Sequence, residues 1–121
     1  KGRRMTIQER DQLAVKVFAQ CQEILHRKGV DSSVDDDDAN RNFTEQAKRL
    51  GLTPYQVWSV YVGKHIDRVQ NAIRRNPAAP KMAGEDIGES AKDIINYMVI
   101  LISMLREDKL FHVEQVKEGL G

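Results

Sequence analysis

Residues 88–101 read Gly-Glu-Ser-Ala-Lys-Asp-Ile-Ile-Asn-Tyr-Met-Val-Ile-Leu, and this stretch decides the fold. In a helix, Glu89, Asp93 and Asn96 fall within about 60° of one another. After Asn96 the residues are apolar in nearly every direction, which indicates a buried helix. Because buried carboxylates are costly unless they are paired or bind a metal, the stretch predicts a cation or a ligand beside Glu89 and Asp93. The alternative is that the helix dipole stabilises Glu89 and that an arginine pairs with Asp93.

The composition limits the class of protein. With 121 residues and a net charge of +1, the chain fits one domain and lacks the basic excess of proteins that bind polymeric nucleic acid. The single Cys21 excludes an internal disulfide and fits a buried structural thiol in a reducing cytosol. No signal-peptide pattern is visible, and the apolar run 97–105 is too short for a bilayer, so we expect a cytoplasmic protein without membrane contact.

Helix signals divide the rest of the chain. Thr6 and Glu9 form a capping box that begins the first long helix, and Gly29 is expected to end it before a loop over 30–41. A short helix is predicted over 42–50, and a second long helix begins with Thr53-Pro54 and ends before Pro77. The third long helix is predicted from about Asp86 to Glu107, followed by a short helix or docking tail that contains Leu110, Phe111, Val113 and Val116.

These signals predict an all-α, antiparallel bundle of three long helices plus one or two short ones. A single domain is expected over 6–118, with residues 1–5 as a disordered or non-native N-terminal extension. The apolar surface of the last long helix is too broad for two other long helices to cover, which predicts a homo-oligomer with that helix in the interface. The predicted core consists of Val17, Ile24, Trp58, Val62, Ile66, Val69, Ile94, Ile95, Met98, Leu101 and Ile102.

Three further groups of residues are candidates for binding. Tyr61, Lys64 and Arg68 lie on one flank of the middle helix and could bind phosphate, or could simply border the apolar stripe. His65 points toward the core and is either a hydrogen-bonded core residue or a ligand contact. The aspartates at 35–38 are predicted to form a solvated loop, because the spacing from Asp31 does not fit an EF-hand.

Several segments in order resemble one family. They are 26–31 (His-Arg-Lys-Gly-Val-Asp), 40–43 (Asn-Arg-Asn-Phe), 51–54 (Gly-Leu-Thr-Pro), 64–68 (Lys-His-Ile-Asp-Arg) and Glu89-Ser-x-x-Asp-x-x-Asn-Tyr97. Over about residues 15–106 the chain resembles the nucleotide-modification-associated domain of bacteriophages and their hosts. That family is similar to the all-α nucleoside-triphosphate pyrophosphatases of the MazG and dUTPase type.

The resemblance implies a MazG-like helical bundle, a magnesium-dependent nucleotide site and an oligomer with that site near a subunit interface. It implies that Glu89 and Asp93 are catalytic and bind Mg²⁺. The chain departs from the family pattern in two ways. It has Ser32 where a tyrosine is common, and it lacks a Glu-Glu-x-x-Glu motif on the partner helix. The residues that would bind the nucleotide and its phosphates are Lys28, Asp31, Asn42, Tyr61, Lys64, His65, Arg68 and Asn96.

Three functions remain open from the sequence. The first is a magnesium-dependent pyrophosphohydrolase that cleaves between the α- and β-phosphates of a nucleoside triphosphate, modified or not. The second is a non-catalytic protein that binds or sequesters a nucleotide. The third is a structural helical module, which would be favoured if Glu89 and Asp93 were both paired with cations inside the protein.

Overall fold

A computed structural model of the chain describes residues 4–32, 38–81, 84 and 86–112, without the side chains of residues 31 and 32. Within these ranges the chain forms four helices and no strand, which confirms the prediction of an all-α fold with three long helices and one short helix. The predicted tail is not helical at Leu110–His112, and Val113 and Val116 lie outside the described residues. None of the described helices is long and apolar enough to cross a membrane. The helices are α1 (Ile7–Ser32), α2 (Arg41–Leu50), α3 (Pro54–Arg75) and α4 (Ile87–Glu107).

Hydrogen bonds at the helix starts confirm both predicted capping boxes. The Thr6 amide donates to Glu9 Oε1 over 2.9 Å, and the Glu9 amide donates to Thr6 Oγ1 over 3.1 Å. Thr53 and Gln56 exchange the same two bonds at the start of α3. At the start of α4, the Gly88 amide donates to Asp86 Oδ1 over 2.8 Å. Local side chains therefore set where these three helices begin.

The prediction that α1 ends at Gly29 is wrong, because α1 continues to Ser32. The predicted loop over 30–41 therefore begins too early. A glycine inside a helix costs only about 1 kcal/mol relative to alanine, so it ends a helix only where the backbone turns left-handed. Gly51 does so, with φ of 68°, and ends α2 as predicted.

Helix α3 lies antiparallel to α4, as the bundle prediction requires. Near the start of α3 the Tyr55 hydroxyl donates to the Met104 carbonyl near the end of α4, over 3.2 Å. Trp58 Nε1 donates to the Tyr97 carbonyl over 2.6 Å, and farther along α3 the His65 ring lies 5.3 Å from the ring of Tyr97. The core between α2, α3 and α4 contains Phe43, Ala47, Val57 and Met104.

The predicted core is only partly correct. Val62 is buried, but Met98 and Ile102 are each 40% exposed, and the other predicted core residues are half-buried. The reason is that α1 and α3 are the helices that mainly pack against α4, and Met98 and Ile102 lie on the side of α4 that neither covers. The N-terminal half of α1 also exposes large apolar side chains, namely Leu13, Val15 and Phe18.

We expect Gly29→Ala to stabilise the chain by about 0.5–1 kcal/mol, because a Cβ there meets nothing within 4 Å and α1 is helical at this point. Urea denaturation followed by circular dichroism measures the change in the free energy of unfolding. The matched control is Gly51→Ala, which should be destabilising because its φ of 68° strains any residue with a side chain. A loss of stability in Gly29→Ala would contradict the continuous α1.

Candidate functional site

A cleft of about 840 Å³ lies between α1, the start of α2, and α4. The C-terminal part of α1 forms one wall, and α4 forms the facing wall. Tyr61 closes the cleft from α3. The volume is within the range of about 300–1,000 Å³ that is typical of small-molecule sites.

Five of the predicted site residues line this cleft: Lys28, Asn42, Tyr61, Asp93 and Asn96. These come from four helices, so the fold brings together residues that are up to 68 positions apart in the sequence.

The other predicted site residues lie elsewhere. Glu89, Lys64 and Arg68 are not among the residues that line the cleft, and His65 is buried behind Asp93. The side chain of Asp31 lies outside the described residues.

Asp93 is held between two cationic or potentially cationic groups. Its Oδ1 lies 3.6 Å from Lys28 Nζ across the cleft, and its Oδ2 lies 3.7 Å from His65 Nδ1. The second distance is too long for a hydrogen bond, and His65 Nδ1 is buried without a hydrogen-bond partner among the described residues. Burial lowers the pKa of His65, and the Asp93 charge opposes that shift.

Glu89 does not share a site with Asp93. Its carboxylate pairs with Lys92 Nζ at 2.9 Å on the same helix, and its side chain is 54% exposed. The prediction that Glu89 is buried is therefore wrong, because Glu89 lies on the solvent side of the first turn of α4, whereas the next residue, Ser90, faces the protein interior. Lys92 also donates to Gln20 Oε1 over 3.4 Å, so this ion pair joins α4 to α1.

The predicted Mg²⁺ site lacks a sufficient set of donor side chains among the described residues. The described residues contain no group of three His, Cys, Asp or Glu side chains that could hold a metal ion. Asp93 is the only one of the two predicted ligands that lines the cleft, and Lys28 competes for it. The donor set of one described chain does not fit a bound divalent cation.

Asn40, Ser103 and Glu107 form a hydrogen-bonded group at one end of the cleft that is not among the predicted site residues. Asn40 is 6% exposed, and its Nδ2 donates to Ser103 Oγ and to Glu107 Oε1, each over 3.0 Å. A sequence signal existed, since Ser103 is the single polar residue inside the apolar run 98–105. The backbone amide of Asn40 also donates to Oδ1 of the exposed Asp38 over 3.2 Å. The other residues of the predicted aspartate loop, Asp35–Asp37, lie outside the described residues.

Aromatic rings form much of the remaining surface of the cleft. Phe43 and Tyr61 contact each other with ring centroids 5.6 Å apart, and Tyr97 lies on the α4 side. Burial, together with the Asp93 charge, raises the pKa of Tyr97, so its hydroxyl stays protonated. These rings offer flat apolar surfaces to a ligand.

The predicted structural thiol is confirmed. Cys21 is 3% exposed, and its Sγ lies 3.9 Å from the Lys92 carbonyl oxygen. Burial raises its pKa, which keeps it in the unreactive thiol form.

We expect stability to fall as the pH drops from about 7.5 to about 5, with His65 as one cause. Its pKa is lowered in the folded chain, whereas the unfolded chain titrates near pH 6.5. Below that pH the unfolded state binds the additional proton, so folding loses free energy. Thermal denaturation of His65→Gln across this range should show a weaker pH dependence than the unmodified chain. The matched control is His26→Gln, an exposed residue of the cleft rim. An unchanged slope in His65→Gln would contradict this role.

No protein-family model, curated protein or solved structure matches the chain. The family resemblance therefore stays a prediction. The described residues form a cleft lined by aromatic rings, by several carboxamides and by Lys28, which pairs with Asp93.

Proposed function

We propose that this protein binds a nucleotide in the cleft between α1, α2 and α4. The observation that carries the proposal is the combination of aromatic and carboxamide side chains around a volume of about 840 Å³. Tyr61 and Tyr97 are partly exposed and offer stacking surfaces to a base, which are worth about 1–3 kcal/mol per base in nucleic-acid-binding proteins. Asn42 and Asn96 each offer a donor and an acceptor that could pair with a base edge.

Lys28 supports the same proposal. Of the lysines and arginines that the structure describes, it alone lines the cleft, and its side chain is 69% exposed. An exposed ion pair such as Lys28–Asp93 contributes little to folding, typically about 0–1 kcal/mol. A phosphate group could therefore contact Lys28 at little cost to the fold.

The carboxylates favour binding over hydrolysis. Asp93 is paired with Lys28, and Glu89 is paired with Lys92 away from the cleft. Both pairs are open to solvent, with the Glu89 side chain 54% exposed and the Lys28 side chain 69% exposed, so they do not meet the condition of pairing inside the protein that would favour a purely structural module. Pyrophosphohydrolase activity with Mg²⁺ on Glu89 and Asp93 stays a prediction.

One experiment separates the three functions. The protein is incubated with a panel of nucleoside triphosphates and their monophosphates, with Mg²⁺ or with EDTA, and the products are resolved by chromatography. We expect the protein to bind the nucleotide and leave it intact, both with Mg²⁺ and with EDTA. Release of monophosphate and pyrophosphate only with Mg²⁺ would establish the hydrolase instead. If the protein neither binds nor hydrolyses any nucleotide of the panel, the structural helical module is the function that remains.

We also propose that the protein acts as a homo-oligomer through α4. Five residues recur along its open side at spacings of four and three, which is the pattern of a helix–helix seam. Met98 and Ile102 in this seam are each 40% exposed, and the neighbouring Val99 is 44% exposed and also lines the cleft. A second copy on this seam would therefore lie beside the nucleotide site. The seam consists of Ala91, Ile95, Met98, Ile102 and Leu105.

A further inference from the structure

The charged groups that line the cleft are few and cancel one another. Among the described residues that line the cleft, Lys28 and Asp93 are the charged ones apart from the exposed His26; they have opposite signs and lie 3.6 Å apart. Lys64 and Arg68, which the sequence places among the phosphate ligands, do not line the cleft. The cleft is thus close to neutral.

A triphosphate needs more positive charge than this cleft supplies. Triphosphate sites typically combine several cationic side chains, backbone amides and a divalent cation. Here the start of α2 faces the cleft through Asn40 and Asn42 and adds only about half a positive charge. Within the described residues, Lys28 and this partial charge could accommodate about one phosphate group, and Asp93 opposes any more.

Asn96 presents a carboxamide to the cleft from α4. It is 7% exposed, it lines the cleft, and its carboxamide makes no hydrogen bond with any described residue. By contrast, the carboxamide of Asn40 at the end of the cleft is fully occupied by Ser103 and Glu107. Among the described residues only His65 Nδ1 is a fully buried side-chain atom without a partner, so the polar atoms of Asn96 reach the open cleft, where a ligand that displaces water can pair with them.

A carboxamide selects a specific kind of partner. It presents one acceptor and two donors in a plane, which matches the adjacent donor and acceptor on the edge of a nucleobase. The ring of Tyr97, the next residue on α4, also lines the cleft and offers a flat surface. Recognition through the base fits these residues better than recognition through phosphates.

We propose that the cleft takes a nucleoside, or a nucleotide with at most one phosphate group such as a monophosphate or a cyclic phosphodiester, and reads its base through Asn96. This inference rests on the proposed nucleotide binding and narrows it to ligands of low charge. Triphosphates bind no better than the matching monophosphate, because their added phosphates find no cation in the cleft.

Isothermal titration calorimetry tests the charge. Adenosine, guanosine, cytidine and thymidine are each compared with their 5′-mono-, di- and triphosphates, with and without Mg²⁺. In the series that binds, we expect the second and third phosphates to leave the affinity unchanged or to lower it. A triphosphate that binds more than about tenfold tighter than its monophosphate would overturn the inference while leaving nucleotide binding intact. No binding in any series would overturn the proposed function itself.

Variants test the assigned residues in the same titrations. Asn96→Asp, which replaces the donor with an acceptor, and Asn96→Ala should each lower affinity about tenfold or more for nucleoside and monophosphate alike. Lys28→Met should weaken the monophosphate but not the nucleoside. The matched control, Lys48→Met on the exposed end of α2, should change neither. Wild-type affinity in both folded Asn96 variants, verified by circular dichroism, would overturn base recognition by Asn96.

Discussion

Replacing Phe43 with alanine is expected to destabilise the chain by about 3–5 kcal/mol, the usual cost of emptying a buried aromatic position. Phe43 is 7% exposed and packs in the core cluster with Ala47, Val57 and Met104. Domains of this size are stable by only about 5–15 kcal/mol, so the loss is a large fraction of the total. Urea denaturation followed by circular dichroism would show a lower midpoint with a similar slope.

Phe111→Ala is the matched control, since Phe111 is 41% exposed and outside that cluster. It should cost far less than Phe43→Ala. Phe43→Leu adds a second comparison, because leucine keeps the burial but removes the ring that lines the cleft. We expect Phe43→Leu to lose much less stability than Phe43→Ala, because leucine fills most of the same volume. Equal and small losses for Phe43→Ala and Phe111→Ala would contradict the placement of the core.

Ile102→Lys is expected to convert the proposed oligomer to a monomer. A lysine buried in a two-fold interface is desolvated once in each copy, which costs several kcal/mol and raises the dissociation constant at least about 100-fold. In the monomer the same lysine can reach solvent, since position 102 is already 40% exposed. Light scattering after size-exclusion chromatography measures the mass, and circular dichroism verifies the fold.

Val60→Lys is the matched control for the seam on α4. Val60 is 66% exposed, but it belongs to α3. This variant should keep the mass of the unmodified protein. A monomeric mass for the unmodified protein at micromolar concentration would refute the interface. An oligomer that Ile102→Lys leaves intact would place the contact on another surface.

Local sequence signals predicted the helices well. Both Thr-containing capping boxes, Pro54 at the start of α3 and the left-handed Gly51 act within a few residues, so the sequence alone is sufficient to place them. The predicted end of α1 at Gly29 is wrong because a glycine permits a helix end but does not force one; whether the helix continues depends on the neighbouring residues.

The site was harder to predict than the helices. Asp93 and Asn96 were recognised because polar residues in an apolar helix stand out. The partner of Asp93 on α1, Lys28, came only from the resemblance, and the pairing of Glu89 with Lys92 was not foreseen. Which side of each helix faces its neighbours depends on packing between distant segments, and periodicity in one helix does not contain that information. For the same reason, Met98 and Ile102 were assigned to the core of a chain that leaves them exposed.

The continuation of α1 through Gly29 has a consequence for hydrogen exchange. The last turns of α1 form a wall of the cleft, and Gly29 weakens this part of the helix by about 1 kcal/mol relative to alanine. Amide protons of 27–30 should therefore exchange with deuterium through local opening, well before those of α3 and α4. A ligand that contacts Lys28 would slow this exchange. The exchange rate at the end of α1 would therefore measure whether the cleft is occupied, without a chemical label on the protein or the ligand.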